Sequence, residues 1–326
     1  MPLESAVEVS NLTKYYGKLL AVDHINFTVE KGEIFGFLGP NGAGKTTTIH
    51  MLTGVTKPTS GTALISGFNI MSEPAKAKEL VGVVPEVSCL YDEMTAWDNI
   101  NFSAKLHSVP KERRETLAKE LLELFGLYER CNDRVGTFSR GMKRRLMIAT
   151  ALVHEPEILF LDEPTTGLDV QSSRQIRDLI KELNRNGTTV FLTTHYIEEA
   201  DQLCQRVAII DRGKIITVDT PEKLKTTVQA ERIIEVSFDR VEDMTNKLQR
   251  LSSVRDVVAA GDKFRLYVED PSETLPSIFH FAKKNHLKVT SVSTLRPTLE
   301  DAFVKLTGLR PEVMAIEKEH AKSAGG

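Results

Sequence analysis

Aliphatic and β-branched residues occur in short runs along the first two thirds of the chain, and each run suits a β-strand. Apolar and polar positions alternate at 7–9 and 25–29, which predicts half-buried strands, whereas the run at 33–38 predicts a more fully buried one. Further short apolar runs occur at 81–84, 158–161, 189–193 and 207–210. Their length and composition predict strands buried on both faces of a mostly parallel sheet.

Helical patterns lie between these predicted strands, at 46–52, 74–80 and 111–127. Pro110 occupies a first-turn position before the last of them. Apolar strands that alternate with helices are typical of an α/β layer architecture. A strand-like stretch at 214–218 and a helix signal at 220–222 complete this pattern, and we expect a domain boundary near residues 226–231.

The pattern changes beyond that boundary to two helices among four strands. The predicted order is strand 232–238, helix 241–252, strand 254–259, strand 264–269, helix 272–285 and strand 288–294, with a hairpin turn at 260–262. This βαββαβ order resembles a ferredoxin-like α+β domain. A last helix is predicted at 298–306 after Pro297, and the polar stretch after Pro311 is expected to be disordered.

Composition narrows the class of protein. The 326 residues are 41% hydrophobic and 27% charged, as in an ordinary soluble globular protein, and suffice for two domains. With 42 basic and 45 acidic residues the net charge is −3, so nothing indicates a nucleic-acid partner. Cys89, Cys131 and Cys204 show no metal-ligand spacing and are expected to be reduced thiols. No signal peptide or run of about 20 apolar residues is evident.

A complete phosphate-binding loop follows the predicted strand at 33–38. It consists of Gly39, Pro40, Asn41, Gly42, Ala43, Gly44, Lys45 and Thr46, and Thr47 comes next. Its glycines let backbone N–H groups converge on phosphate oxygens, and the following helix offers its positive end. Lys45 is expected to reach the β- and γ-phosphates, and the Thr46 hydroxyl to coordinate Mg²⁺.

Two adjacent carboxylates end the apolar run at 158–161. Asp162 is expected to hold the Mg²⁺, and Glu163, whose side chain should point to the other face, suits a general base for the water that attacks the γ-phosphate. An ordinary strand-end pair is the alternative reading. His195 follows the apolar strand predicted at 189–193, where a neutral imidazole could donate to the γ-phosphate; a structural histidine is the alternative there.

These motifs together resemble the ATP-binding subunits of ABC transporters, over about residues 5–225. The resemblance implies ATP and Mg²⁺ as ligands, adenine stacked on Tyr16 (with Tyr15 as a competitor), and His195 as the switch histidine. It also implies a head-to-tail dimer in which Ser139, Arg140, Gly141 and Met142 cap the ATP of the other subunit, with Asp169 in the dimer-contacting loop. The partner would be a second copy or a homologous ATPase subunit.

Two positions depart from the family pattern. Arg140 replaces a glycine of the signature, and the following Lys143, Arg144 and Arg145 are interpreted as a solvated helix face. Glu86 stands where the family has glutamine, in a loop expected to link the ATP site to the membrane partner. A carboxylate can ligate Mg²⁺ as an amide oxygen does, but it repels the triphosphate and Glu163. We therefore expect hydrolysis to persist with a shifted metal or pH dependence.

The residues from Thr298 to Gly308 resemble the closing helix of daunorubicin-resistance-type exporter ATPases. We therefore predict three segments: an ATP-binding domain at 5–225, an accessory domain at 231–308, and a disordered tail at 309–326. The leading hypothesis is an exporter ATPase, cytoplasmic and peripheral on the inner face of the membrane, bound to polytopic permease subunits. The alternative is a soluble ABC ATPase acting in translation or repair. The accessory domain could stabilise the dimer or sense a ligand.

Overall fold

The computed structural model describes residues 4–227, 232–240, 244–295 and 297–309. They fall into two compact units, one that runs to Pro221 and one that comprises Glu222–Leu309. Each unit has a hydrophobic core of its own. Of the tail predicted at 309–326, only Leu309 belongs to the described residues, and residues 228–231 of the predicted boundary lie outside them.

Two sheets account for the strands of the first unit. In chain order the strands are β1 (Ser5–Tyr16), β2 (Leu19–Glu30), β3 (Ile34–Leu38), β4 (Ser60–Ile65), β5 (Phe68–Asn69), β6 (Val81–Val84), β7 (Ile158–Asp162), β8 (Thr189–Thr194), β9 (Arg206–Asp211) and β10 (Lys214–Asp219). One sheet has the order β10-β9-β3-β8-β7-β6, and the other is β2-β1-β4-β5. The predicted strands are thus present, with ends that differ by one or two residues in most cases.

The six-stranded sheet is parallel except for its edge strand β10, which pairs antiparallel with β9. Every residue of β3, β7 and β8 is buried, as expected for strands covered on both faces. The parallel register pairs Thr193 of β8 with Phe37 of β3 and with Asp162 of β7. The carboxyl ends of these three strands therefore meet at one edge of the sheet.

The four-stranded sheet is antiparallel and packs against the first through aromatic rings. Phe27 of β2 lies 5.6 Å from Phe35, 5.5 Å from Phe37 and 5.9 Å from Phe191, measured between ring centroids. Such ring pairs stabilise a core beyond the area that they bury. At the other end of β2, Leu19 pairs with Tyr16 across the turn from β1.

Among the described residues, the helices up to the boundary between the two units are, in chain order, α1 (Lys45–Leu52), α2 (Pro74–Glu79), α3 (Ala96–Leu106), α4 (Lys111–Leu124), α5 (Arg140–Ala151), α6 (Val170–Arg185), α7 (Ile197–Leu203) and α8 (Pro221–Thr226), with short 3₁₀ turns at Tyr128–Arg130 and Val135–Thr137. Helices α1, α2, α5, α6 and α7 contact the six-stranded sheet. Helices α3, α4 and α5 pack on one another and form a helical subdomain. The prediction for α4 ran three residues too far. Gly126 has φ of +61°, and the N–H of Leu127 donates to Leu122 O, which closes the helix.

The second unit is a ferredoxin-like α+β domain. Its elements are β11 (Arg232–Phe238), α9 (Thr245–Leu248), β12 (Val254–Ala260), β13 (Lys263–Val268), α10 (Pro271–Lys284), β14 (Val289–Leu295) and α11 (Leu299–Thr307). The sheet order β12-β13-β11-β14 is antiparallel throughout. Ile234, Leu266 and Ile278 are fully buried in its core.

The helix predicted at 241–252 is wrong in extent. The structure has helix only at Thr245–Leu248, and residues 241–243 lie outside the described part of the chain. After the helix, Leu251 N–H donates to Leu248 O in a turn, and Ser253 has φ of +68°. Serine favours turns over helix interiors because its hydroxyl competes for backbone hydrogen bonds, which the apolar periodicity does not reveal.

Candidate functional site

The loop between β3 and α1 wraps around the Lys45 side chain. Gly44 has φ of +103°, and a Cβ there would lie 2.6 Å from Ala21 O, so only glycine fits. Lys45 is buried, and its Nζ donates to Gly39 O at 2.7 Å and to Pro40 O at 3.0 Å. The loop therefore holds an ammonium group at the N-terminal end of α1, where the helix dipole also favours a bound phosphate.

Two successive carboxylates at the end of β7 have different partners. Asp162 Oδ1 accepts a hydrogen bond from Thr193 Oγ1 at 2.5 Å. Glu163, with φ of +51°, leaves the strand. Its Oε1 lies 3.1 Å from Lys45 Nζ, and its Oε2 lies 2.7 Å from His195 Nδ1. The structure thus brings the predicted lysine, carboxylate and histidine into one buried group where β3, β7 and β8 end.

The surroundings of Glu163 favour its ionised form. Burial raises the pKa of this carboxyl, but the hydrogen bond with His195 and the charge of Lys45 outweigh burial, so the pKa is lowered from its ordinary value. The Thr166 hydroxyl also donates to Oε2, at 3.0 Å. Glu163 is therefore a carboxylate at neutral pH, able to accept a proton.

A cleft of about 620 Å³ opens beside this group. The phosphate loop contributes Asn41, Gly42 and Gly44–Thr47 to its wall, and Tyr16, Glu86 and Glu163 line it as well. Sequence reasoning missed Arg212 and Gly213, which come from the turn between β9 and β10. The glycine-containing turn between two strands was their only signal, and such turns are common at sites without function.

Tyr16 rather than Tyr15 faces the cleft. Both side chains are about half exposed, but Tyr16 lines the cleft beside Leu19, whereas Tyr15 is not part of its wall. The alternation of side chains along β1 separates the two neighbours. An aromatic ring and an aliphatic side chain at one end, with a phosphate loop at the other, suit a ligand that has a flat base and a charged chain.

The predicted signature residues begin α5 and do not line this cleft in the described part of the chain. Ser139 caps the helix, since its Oγ accepts from Met142 N–H at 3.2 Å. Gly141 packs against α6, where a Cβ would lie 2.5 Å from Ser172 Oγ. Arg140 is exposed and its Nη1 lies 3.5 Å from Gly167 O.

Asp169 directly precedes α6 and caps it through Ser172. Its Oδ1 accepts from the Ser172 N–H at 2.8 Å, and its Oδ2 accepts from the hydroxyl at 2.7 Å. These bonds lower the pKa of the Asp169 carboxyl. Because Gly141 packs on the same serine, the signature helix and the loop before α6 meet at one point.

The interpretation of Lys143, Arg144 and Arg145 as a solvated face is wrong. Arg144 is only 6% exposed, and its two terminal nitrogens donate to the carbonyls of residues 85 and 86, each at 2.9 Å. Lys143 Nζ pairs with Asp92 at 2.7 Å, and Arg145 Nη1 donates to Phe125 O at 2.9 Å. A run of basic residues on a helix usually faces water, and only the fold reveals the carboxylate and the carbonyl groups that bind these three side chains.

Family models match both parts of the chain. The model described as ABC transporter matches residues 22–166, and the model described as ATP-binding protein DrrA1-3-like, C-terminal domain, matches residues 220–307. A dimeric ATP-binding cassette solved in a post-hydrolysis state with ADP and phosphate is 28% identical. It has a TM-score of 0.60 and covers 66% of this chain and 98% of its own.

Curated relatives match nearly end to end. The linearmycin resistance ATP-binding protein LnrL of Bacillus subtilis is 38% identical over 93% of this chain and 98% of that protein. The daunorubicin/doxorubicin resistance ATP-binding protein DrrA of Streptomyces peucetius is 35% identical over 93% and 92%. A Nod factor export ATP-binding protein of Cupriavidus metallidurans is 35% identical over 94% and 98%.

Proposed function

The chain belongs to the ABC transporter family of ATP-binding proteins, with the C-terminal domain of its DrrA-like members, and we propose that it drives export of a small-molecule cargo through separate membrane subunits. Its activity is that of a transport-coupled ATP hydrolase. Relatives named for drug resistance and for Nod factor export match over more than nine tenths of the chain and support the export direction. No helix among the described residues has the length and apolar character needed to cross a membrane.

The group of Lys45, Glu163 and His195 is the observation that carries the catalytic proposal. Water attacks the γ-phosphorus of ATP, the bond to the β–γ bridging oxygen breaks, and the Glu163 carboxylate accepts the proton that the water loses. His195, bonded to Oε2, orients this base and would contact the γ-phosphate of a bound ATP. Lys45 Nζ lies beside the other oxygen of this carboxylate, Oε1, and would neutralise negative charge on a bound phosphate.

Mg²⁺ would be held by Thr46, Glu86 and Asp162. The donors present fit this ion, which prefers oxygen ligands and takes much of its shell from phosphates and water. Thr46 and Glu86 line the cleft, and Thr193 fixes the orientation of the Asp162 carboxylate. Within the described ranges, no group of three or more His, Cys, Asp and Glu side chains could hold a metal alone. The bound ion would neutralise developing negative charge on the phosphates.

Tyr16 would stack on adenine, and residues 39–47 would bind the phosphates. The signature residues 139–142 and Asp169 would act across a head-to-tail dimer, with a second copy or a homologous ATPase subunit. Their position outside the cleft supports this assignment, because a cap that cannot reach its own nucleotide site needs another subunit. The dimer would be bound to polytopic permease subunits on the inner face of the membrane.

The export proposal is tested in cells that contain the chain and its native membrane subunits. Affinity purification from membranes should recover a polytopic protein, and a Lys45→Ala variant should recover the same protein but lose ATP-dependent efflux of the cargo. A matched exposed substitution, Lys119→Ala, should leave efflux unchanged, because Lys119 contacts only Glu123 and the Tyr128 ring among the described residues, away from the nucleotide cleft. Recovery without a membrane protein, together with ATPase stimulated by ribosomes or DNA, would reject export.

A further inference from the structure

Arg144 connects the helix that carries the signature to the loop that carries Glu86. Its side chain extends from the second turn of α5, and Nη1 donates to Pro85 O while Nη2 donates to Glu86 O, each at 2.9 Å. The planar guanidinium is suited to such a contact because its fork reaches two successive carbonyls at once. Lys143 adds a second contact from the same helix, through Asp92.

The loop that follows β6 is poorly packed around Glu86. Residues 86–89 are exposed, and Val87 is 78% exposed although it is apolar. Hydrophobic burial therefore contributes little to fixing the backbone at Glu86. A buried cation bonded to two carbonyls is a strong local constraint by comparison, since charge-assisted hydrogen bonds are among the strongest in proteins.

Glu86 borders two cavities. It lines the cleft beside the phosphate loop, and it also lines a smaller cavity of about 250 Å³ that Arg140, Arg144 and Gly167 share. Glu86 therefore lies between the chain's own nucleotide cleft and the cavity beside Arg140, one of the residues proposed to cap the nucleotide of the other subunit. Arg144 lines the smaller cavity beside Glu86, and its side chain is buried.

We propose that Arg144 is a positioning residue that holds the backbone of Glu86 against the signature helix, so that the cleft and the signature shift together. This inference rests on the proposed function for what the two sites bind, but the anchoring itself does not. A point charge at this position would reach one carbonyl and leave the other unpaired, so lysine is an incomplete substitute.

Hydrogen exchange of the full chain tests the anchoring without reference to turnover. In Arg144→Met the loop should open more often, and exchange at Tyr91 N–H, which donates to Asn99 Oδ1, should accelerate at least about tenfold. Arg145→Met is the matched control: it removes a guanidinium–carbonyl bond from the next residue of the same helix, but that bond ends at Phe125. In Arg145→Met the Tyr91 N–H should exchange at the wild-type rate.

Kinetics provide the second readout. Arg144→Met should raise the Mg²⁺ concentration for half-maximal ATPase several-fold more than Arg145→Met does, and Arg144→Lys should fall between wild type and Arg144→Met. A merely structural role would shift thermal stability in both arginine variants and leave the Mg²⁺ requirement unchanged. If Arg144→Met does not fold, Arg144→Lys decides, since it should still accelerate exchange at Tyr91.

If the Tyr91 N–H exchanges at the same rate in wild type and in the Arg144 variants, Arg144 does not anchor the loop at Glu86. Accelerated exchange with an unchanged Mg²⁺ requirement would overturn the role in positioning Glu86. If the wild-type chain exchanges as expected but hydrolyses no ATP, the anchoring stands and the catalytic assignment of the preceding section fails. The two proposals therefore fail in different ways.

Discussion

The Glu163 carboxylate lies between Lys45 and His195, and these two neighbours decide how it titrates. Burial alone would raise its pKa, but the histidine hydrogen bond and the lysine charge lower it. A base with a lowered pKa remains ionised as the pH falls, so activity that depends on it persists further into the acid range.

Replacing His195 by Ala should therefore move the acid limb of the ATPase profile. Without the hydrogen bond from Nδ1, burial acts with less opposition and the pKa of Glu163 rises. We expect the variant to lose at least about 100-fold in kcat. As the pH falls, its remaining activity should decline at a higher pH than that of wild type. The measurement is kcat against pH for both proteins. An acid limb at the same pH in both would show that His195 does not set the ionisation of Glu163.

Glu86 can be tested by restoring an amide. Because the carboxylate lines the cleft with Glu163, Glu86→Gln removes one negative charge that repels the triphosphate. Hydrolysis should continue, with a KM for MgATP about two- to tenfold lower and an altered Mg²⁺ and pH dependence. Unchanged rate, Mg²⁺ dependence and pH profile would mean that the side chain does not act at the metal or the phosphates.

These residue contacts could be predicted only in part. Sequence motifs identified Lys45, Asp162, Glu163 and His195, because each follows or ends a recognisable strand. The contacts of Glu163 with Lys45 and His195, and of Asp162 with Thr193, depend on the parallel register of β3, β7 and β8, which no local pattern specifies. The role of Arg144 was missed for the same reason, since its partners are carbonyl groups 58 and 59 residues away.

Helix α5 is fixed at its beginning by a close contact with α6. The buried Gly141 leaves no space for a methyl group, because a Cβ would lie 2.5 Å from Ser172 Oγ and 2.9 Å from its Cβ. This glycine was expected, with the other signature residues, to cap the ATP of the other subunit. Within the chain it permits close approach of two helices, and both roles are compatible.

Gly141→Ala should therefore destabilise the folded chain by about 1–3 kcal/mol, the usual range for overpacking. Denaturant unfolding measures the loss. A Ser172→Gly change removes the atoms that clash, so the double variant should recover part of the stability lost by Gly141→Ala. Simple additivity of the two single changes would contradict the proposed contact.

The accuracy of the element predictions followed the strength of their local signals. Strands with continuous apolar runs were located to within one or two residues, since burial on both faces leaves a clear pattern. Helix ends were less accurate: α4 ends at a glycine with positive φ, and α9 is shorter than its apolar periodicity indicated. Capping and turn formation depend on a few residues, so they are weakly encoded in periodicity.

The molecule separates its chemistry from its accessory domain. Every described residue that lines the cleft precedes Pro221, and the unit at 222–309 has its own sheet and core. The βαββαβ order of that unit was predicted from the sequence. What the domain does could not be predicted, because neither its fold nor its core specifies a ligand or a partner.

Deleting residues 231–326 should preserve ATP binding, because none of the described residues that line the cleft is removed. If the accessory domain stabilises the dimer, the truncated chain should need a higher concentration to dimerise, as sedimentation would show. If the domain senses a ligand, dimerisation should be unchanged and regulation lost. Loss of ATP binding in a folded truncated chain would contradict the independence of the two units.

The most direct test of the account is the ATPase rate of full-length Glu163→Gln beside wild type. Glutamine keeps the shape of the side chain but cannot accept the proton, so turnover should fall at least about 100-fold while ATP still supports a dimer on size exclusion. Glu123→Gln, an exposed change on α4, should retain the wild-type rate. Turnover of Glu163→Gln within a few-fold of wild type would contradict the assignment of Glu163 as the base.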